Sequence, residues 1–351
     1  LHLLLLKLRK NVMNPRKYQF VKNLFLFLLI PFFFLMISFL YYDPFFLWKA
    51  PSVKNAFKVA QNRGHFGARL FLKNKEQISY NAFLFASSRG LFFRIKQWKN
   101  LSRDPEFKGF HFEENKESIF GMYQKIKFLD KEGASLKYVI MALDREVLRV
   151  TSEKNGRLER VSPIFSGKIK QWVLFLYEHF STFFNPKFFV AFLAGEVFGE
   201  SFNFTKGVVI SESDDFDYSA NELNFDSWEE KVRRGEHFTE KVIKLIEGNR
   251  VKEIDRKIVS IKTRQKILLE EIHRIFQKHK TKIKIVINPL TDQVPFDKKS
   301  LAYLTSLFGA KNIFDFSGKN SITSDYKNYY EETHYRPHVA RKMLEIIYAN
   351  H

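Results

Sequence analysis

The stretch AFLFASSRGLFFRIKQW, residues 82–98, joins a short apolar run to a turn of small residues and then to a helical pattern. Residues 82–86 have the composition of a buried strand, and the Ser-Ser-Arg-Gly sequence after them is typical of a turn. A serine in a strand-to-helix turn presents its hydroxyl at the top of a sheet, near helix N–H groups that can stabilise an oxyanion. The stretch therefore predicts an α/β unit with Ser88 as a candidate nucleophile; a helix N-cap is the alternative role for this serine.

Four more apolar runs have the same strand-like composition, at residues 107–113, 138–143, 283–287 and 312–316. Helical patterns lie between them: residues 121–129 are amphipathic, and apolar residues from Ile254 to Phe276 recur at helical spacing. Strands that alternate with helices pair in parallel. We therefore predict a doubly wound α/β sheet with its ligand site at the carboxyl ends of the strands.

The connection between Asp144 and Thr281 is far longer than the ~10–12 residues that a parallel crossover requires. It predicts a large, mainly helical insertion at about residues 145–250. The middle of the insertion, residues 172–199, is apolar and aromatic but contains Glu178, Lys187 and Glu196, which argue against a second membrane span. Two interpretations remain open: a helical hairpin that lies on a membrane or caps the site, and a pair of ordinary core helices.

The amino-terminal region contains an uncharged stretch, LFLFLLIPFFFLMISFLYY, at residues 24–42. At ~1.5 Å per residue it is long enough to cross the ~30 Å core of a bilayer, and Pro31 is tolerated in a membrane span. A buried core helix and a cleaved signal peptide are the alternatives. The stretch exceeds the usual ~7–15 residues of a signal-peptide core and has no small-residue cleavage site after it, so we predict an uncleaved transmembrane anchor.

Basic residues are more frequent before this stretch than after it. Arg9, Lys10, Arg16, Lys17 and Lys22 are among those that precede it, and Lys49 and Lys54 follow closely. The asymmetry predicts a cytoplasmic amino end at residues 1–23 and a single-pass anchor in the cytoplasmic (inner) membrane. After the anchor we expect a linker and entry segment at residues 43–79, followed by a domain at residues 80–351 that faces the periplasm or exterior. Met13 precedes the basic stretch and the apolar run, so we expect translation to start there and residues 1–12 not to be native.

The composition is that of a globular chain, with 45% apolar and 27% charged residues among 351. The absence of cysteine excludes disulfides, cysteine nucleophiles and Cys-ligated metals. The formal net charge of +20 suggests an anionic partner. Because the basic flank predicts an extracytoplasmic domain, we expect no nucleic acid partner and favour membrane lipid or an envelope polymer.

The carboxyl-terminal region holds the second candidate for chemistry, Glu331-Glu332-Thr333-His334 followed by Tyr335-Arg336-Pro337. Pro337 suits the first turn of a last helix at residues 339–348, which leaves Glu331 and His334 on the preceding loop. A carboxylate three residues from a histidine can hold the tautomer of the imidazole while its other nitrogen takes a serine proton. A structural histidine beneath the last helix is the alternative for His334. His338 could suggest a metal, but no third ligand is evident, so we expect neither a metal site nor a cofactor.

Together, the serine turn after the first strand, the five parallel strands and the acid-x-x-His loop resemble the SGNH (GDSL) hydrolase superfamily. FASSR is similar to the G-S-S-R form of its membrane-anchored bacterial envelope members, which include the D-alanyl-lipoteichoic acid biosynthesis proteins and a spirochaetal group. YYEETHYRPHVARKMLEII resembles their terminal D-x-x-H-Y-x-P block. The resemblance covers residues 82–351 except most of the insertion. It implies a flavodoxin-like five-stranded sheet, an envelope glycan or lipid substrate, and a membrane-bound acyltransferase as a partner.

Carried over by position, the resemblance implies that Ser88 is the nucleophile, His334 the general base and acid, and Glu331 the residue that orients His334. It implies that the N–H groups of Ser88 and Gly121 form the oxyanion hole. The chain departs from the family pattern at Ala86, where Gly is usual, and at Glu331, where Asp is usual. A third departure affects activity, because Leu143-Asp144 stands where the family has an asparagine donor, and the loss of one oxyanion donor costs ~10²–10³ in rate. Arg89 either forms a salt bridge or binds an anionic substrate group.

These observations support two hypotheses. The first is a membrane-anchored serine esterase or O-acyltransferase that acts on acyl groups of a cell-envelope glycan or lipid. The second is a non-catalytic envelope assembly protein that keeps the fold and binds anionic lipid or polymer through its basic surface.

Overall fold

Five parallel strands form one sheet in the order β2–β1–β3–β6–β7. The computed structural model describes residues 15–53, 58–198, 203–205, 207–209, 216–251 and 260–349. The strands of the sheet are β1 (Ala82–Ser87), β2 (Gly109–Glu114), β3 (Tyr138–Leu143), β6 (Lys282–Ile287) and β7 (Ile313–Asp315). A two-stranded antiparallel ribbon, β4 (Phe216–Asp217) and β5 (Glu222–Leu223), lies within the insertion. The predicted α/β fold with a five-stranded parallel sheet is therefore confirmed.

The helices connect and cover these strands. They are α1 (Pro15–Tyr42), α2 (Arg63–Ile78), α3 (Ile95–Ser102), α4 (Ile119–Lys131), α5 (Arg145–Arg149), α6 (Pro163–Ser166), α7 (Ile169–Phe183), α8 (Pro186–Phe198), α9 (Asp226–Arg233), α10 (Glu240–Val251), α11 (Thr263–Lys278), α12 (Lys298–Phe308) and α13 (Pro337–Tyr348). Pro337 occupies the first turn of α13, as predicted. Two predictions lie outside the described residues: the start at Met13, and the helical spacing at Ile254 and Ile258.

The sheet is buried on both faces, which explains why its central strands β1 and β3 read as continuous apolar runs. On one face, Phe83, Phe85 and Met141 pack with apolar residues of α2, α4, α11 and α12. On the other, Leu84 and Ile140 pack with α3, α10 and α13. In this strand order the connections leave β1 and β3 on opposite faces, so a crevice opens at their carboxyl ends. Ser88 follows β1 and Asp144 follows β3, and both lie at this switch point.

Helix α1 is long and apolar enough to cross a membrane, and its exposed side chains are mainly apolar. It is the only such helix among the described residues. Its carboxyl end is fixed, because the Asp43 carboxylate accepts hydrogen bonds from the N–H groups of Leu47, at 2.7 Å, and Lys49, at 2.7 Å.

Residues 43–79, expected as a linker and entry segment, contain helix α2, which packs against the sheet through Phe66 and Phe71. Asn62 caps the start of α2, and its amide also donates to the carbonyls of Arg157 and Arg160, each at 2.9 Å. The segment is therefore a structural part of the domain.

Candidate active site

The strand-to-helix turn after β1 exposes the Ser88 hydroxyl. A 3-10 helix, Ser88–Phe92, begins directly after the strand, and its N-cap position is taken by Ser87, whose side chain makes no capping hydrogen bond. The turn is tight: a Cβ on Gly90 would lie 2.1 Å from the Cβ of Ala86, so only glycine fits without displacement. Ser88 is half-buried. Because the N-cap is Ser87, the alternative role that the sequence left open for Ser88 is not the one observed.

Ser88, His334 and Glu331 form one chain of hydrogen bonds, although Ser88 and His334 are 246 residues apart in sequence. The Ser88 Oγ lies 2.8 Å from His334 Nε2, and His334 Nδ1 is hydrogen-bonded to Glu331 Oε1. Since a carboxylate only accepts, Nδ1 carries the proton of a neutral imidazole and Nε2 is left to accept from the serine hydroxyl. This is the arrangement of an activated serine.

A tight loop presents the acid and the histidine on the same side. The Tyr330 N–H donates to the His334 carbonyl at 2.9 Å, and Tyr329 and Tyr335 form an antiparallel bridge at the base of the loop. About a third of the Glu331 and His334 side chains is accessible to solvent, at 33% and 31%. The site is therefore open to a substrate.

Thr333 orients the carboxylate, a role that the sequence analysis did not identify. Its N–H donates to Glu331 Oε2 at 2.9 Å, and its hydroxyl lies 2.7 Å from Glu331 Oε1. Burial raises the pKa of Glu331, but hydrogen bonds from His334 and Thr333 outweigh burial and leave the pKa below its usual value. Glu331 is therefore a carboxylate at neutral pH, which the orienting role requires.

Arg89 forms a salt bridge, which decides between the two roles that the sequence left open. Its Nη1 donates to Asp144 Oδ2 at 2.8 Å, and its Nε donates to the Thr333 carbonyl at 3.2 Å. Burial raises the pKa of Asp144, but the charge of Arg89 and local hydrogen bonds lower it by more. Arg89 thus ties the loop that carries His334 to the end of β3. From the sequence we expect Arg89 to bind substrate, whereas these contacts make it a residue that positions the His334 loop.

The residues after β6 form hydrogen bonds with the loop that carries Glu331 and His334. Asn288 donates to Asp144 Oδ2 at 3.1 Å and accepts from the Tyr335 hydroxyl at 3.3 Å. The Tyr329 hydroxyl donates to the Pro289 carbonyl at 3.0 Å, and Thr291 donates to the Glu332 carbonyl. Asn288 directly follows a strand at the ligand-binding edge, which is the signal that could have identified it.

Gly121 differs from its expected role as an oxyanion donor. Its N–H donates to Ser118 Oγ at 3.0 Å, because Ser118 is the N-cap of α4. That donor is occupied within the helix. Leu143-Asp144 lacks the asparagine side-chain donor of the family. The side-chain amide of Asn288 could supply the same kind of N–H group, but it is buried and donates to Asp144. Of the two N–H groups expected to bind an oxyanion, the one of Ser88 remains as a candidate.

His338 does not join the site. Its Nε2 is hydrogen-bonded to Asn328 Oδ1 at 2.8 Å. In the part of the chain that the structure describes, no group of three or more His, Asp or Glu side chains is arranged to hold a metal.

The comparisons with known proteins add no family to this geometry. No protein-family model matches the chain, and a search of curated proteins finds no match.

Proposed function

We propose that this chain is a membrane-anchored serine esterase or O-acyltransferase of the SGNH type, acting on acyl groups of a cell-envelope glycan or lipid. The observation that carries the proposal is the hydrogen-bonded chain from Ser88 through His334 to Glu331. The strand order, with the serine directly after β1 at the switch point, supports the same fold type.

The reaction proceeds in two steps. Ser88 Oγ attacks the acyl carbonyl while His334 Nε2 takes the hydroxyl proton, and Glu331 stabilises the resulting imidazolium. His334 then gives that proton to the departing alcohol, which leaves an acyl ester on Ser88. Water or a sugar hydroxyl attacks this ester while His334 accepts its proton. His334 then gives this proton to the departing Ser88 Oγ, and the acyl group leaves as a free acid or as an ester of the sugar.

Stabilisation of the oxyanion is the weak point of this site. The Ser88 N–H at the start of the 3-10 helix serves as one donor, while the Gly121 N–H is occupied. Because each missing donor costs ~10²–10³ in rate, we expect slow turnover.

The anchor places this chemistry outside the cytoplasm in our proposal. Helix α1 crosses the cytoplasmic membrane once, with Arg16, Lys17 and Lys22 on the inner side. Alkaline phosphatase fused after His351 is then active in a bacterial host. An inactive fusion beside an active cytoplasmic reporter contradicts this topology.

Labelling with a fluorophosphonate tests the enzyme. The full chain in detergent should label, because a histidine-activated serine attacks phosphorus whereas an ordinary hydroxyl does not. Labelling should vanish in Ser88→Ala and in His334→Ala. Ser87→Ala is the matched control: Ser87 is the adjacent serine, is 4% exposed, and its hydroxyl has no hydrogen-bond partner among the residues that the structure describes. Equal labelling of wild type and Ser88→Ala refutes the assignment.

An envelope assembly protein that binds anionic lipid or polymer is the second candidate. It is favoured by the occupied Gly121 and Asn288 donors together with the net charge of +20. A folded wild-type chain that does not label but binds vesicles rich in phosphatidylglycerol supports this candidate over the enzyme.

A further inference from the structure

The hairpin of α7 and α8 packs against the outer half of α1, so these three helices share one apolar surface. Phe39 of α1 contacts Phe180 and Phe183 of α7, with ring centroids 5.4 and 5.3 Å apart. Further along α1 toward its amino end, Phe32 contacts Phe184 at 5.9 Å. From α8, Phe189 contacts Phe34 at 6.5 Å.

These contacts reach deep along the anchor. Phe32 precedes the end of α1 at Tyr42 by about 15 Å along the helix axis, at ~1.5 Å per residue. The hydrocarbon core of a bilayer is ~30 Å thick. If α1 crosses the membrane, the turn between α7 and α8 is therefore near the middle of that core.

The charges of the hairpin are arranged for this position. Glu178, five residues before the end of α7, is held by Arg160 at 2.6 and 2.9 Å, and Glu196, two residues before the end of α8, pairs with Lys58 at 3.1 Å. Both acidic groups are therefore bound to the domain, and the part of the hairpin that can enter a bilayer is residues 179–195. Between residues 179 and 195, Lys187 is the only Asp, Glu, Lys or Arg. A lysine near the hydrocarbon centre is costly unless its long stem carries the ammonium toward the headgroups, so Lys187 limits how deep the turn can lie.

The Thr182 hydroxyl and the Asn185 side-chain oxygen at the turn form hydrogen bonds within the hairpin, which lowers the cost of placing them in lipid. The Thr182 hydroxyl donates to the Glu178 carbonyl at 2.8 Å. Asn185 Oδ1 accepts from the N–H groups of Lys187, at 3.0 Å, and Phe188, at 3.4 Å. Apolar side chains nevertheless face outward: Tyr177 is 67% exposed and Val190 is 56% exposed.

We propose that α7 and α8 form a re-entrant hairpin that enters the outer leaflet beside α1, with lipid acyl chains covering its exposed apolar face. The helices have 15 and 13 residues, which is too short to cross the bilayer and suits entry from one side. Continuity with the exposed apolar surface of α1 identifies the occupant as lipid. The inference rests on α1 as the anchor and is independent of the catalytic assignment.

The chain lacks cysteine, so single cysteines report on each surface without further changes. Ser181→Cys and Val190→Cys, both exposed and within residues 179–195, probe the hairpin. Leu28→Cys, 55% exposed on α1, probes the span, and Ile267→Cys, 54% exposed on α11, probes a water-facing surface. Each full-length variant is labelled with an environment-sensitive fluorophore and reconstituted in phosphatidylethanolamine and phosphatidylglycerol vesicles. Iodide then quenches fluorophores in water, and nitroxide-labelled lipid quenches those in the bilayer.

We expect the Ser181 and Val190 labels to be quenched by nitroxide lipid and shielded from iodide, as for Leu28, while iodide quenches the Ile267 label. Quenching of both hairpin labels by iodide, with Leu28 still quenched by lipid, overturns the proposal. Shielding of the hairpin labels from both quenchers also overturns it, because it shows a protein partner. A Leu28 label in water removes the anchor on which the proposal rests. Fluorophosphonate labelling is measured on the same samples, so a failure of the catalytic assignment is seen separately.

Discussion

Gly90→Ala tests whether the tight turn after β1 sets the position of Ser88. The added Cβ would lie 2.1 Å from the Cβ of Ala86, and Ala86 is fully buried. Carbon atoms in contact are ~3.5–4.0 Å apart, so the turn must move by at least about 1.4 Å. Overpacking of this kind costs ~1–3 kcal/mol of unfolding free energy. Because a misplacement of ~1 Å can cost ~10² in rate, labelling of Ser88 should fall about a hundredfold.

The second substitution makes this prediction specific. Ala86→Gly removes the atom that clashes, at a cost of ~0.5–1 kcal/mol for glycine within a strand. The double variant should recover most of the stability and of the labelling rate, which gives a coupling energy between two sites in contact. Thermal unfolding of the full chain in detergent and the rate of fluorophosphonate labelling measure the two effects.

Gly248→Ala serves as the control, since its Cβ would meet no atom of the described residues within 4 Å. It should leave both measurements unchanged or raise stability slightly, because alanine favours a helix over glycine. The reasoning is refuted if Gly90→Ala behaves like Gly248→Ala, or if Ala86→Gly brings no recovery.

Three further predictions concern the supporting network. Asp144→Asn leaves Arg89 without its buried counter-charge and should lower the free energy of unfolding by ~3–5 kcal/mol at pH 7. Because the folded-state pKa of Asp144 lies below its ordinary value, the difference from wild type should persist above pH ~4 and shrink as the pH falls through the folded-state pKa. Unfolding of both proteins at pH 7 and pH 3 checks this. Glu331→Gln should slow fluorophosphonate labelling, but by less than His334→Ala. Thr333→Val should also slow labelling and Thr333→Ser should not, since the hydroxyl and not the methyl group of Thr333 contacts Glu331. Equal labelling rates for Val and Ser at position 333 would remove Thr333 from the site. Lys125→Met should cost ~3–5 kcal/mol, because Lys125 is fully buried between Glu114 and Glu117, and adding Glu117→Gln should recover part of that loss in thermal unfolding.

The sheet could be predicted from the sequence because parallel strands covered on both faces are mainly apolar, as β1 and β3 are, and each of the five runs gave a strand. Helix α2 was missed, although Phe66, Leu70 and Phe71 recur on one face, because its many polar residues resemble a linker. Gly121 was misjudged because the cap signal at Ser118, three residues earlier, was not weighed against its expected role.

The site itself was harder to predict from local pattern. A contact between Ser88 and His334 has no signature within either segment, so it came from a family resemblance and not from spacing. The network of Arg89, Asp144 and Asn288 joins the ends of three strands. Such contacts depend on strand order, which a sequence pattern does not specify, and they emerge only once β1, β3 and β6 lie side by side.

The joint between α1 and the domain has a consequence for how a substrate is found. Gln61, just before α2, donates to the carbonyl of Pro44, just after α1, at 2.9 Å, so the two ends of the connection are fastened together. Arg63 then pairs with Glu113 at the carboxyl end of β2, the same edge of the sheet that carries Ser88. A domain fastened in this way cannot swing on a long tether to sample a wide volume. With α1 as the proposed anchor, the search for the proposed substrate becomes two-dimensional: the protein diffuses in the plane of the bilayer, and the effective concentration of a substrate depends on its density in that plane and on its height above it.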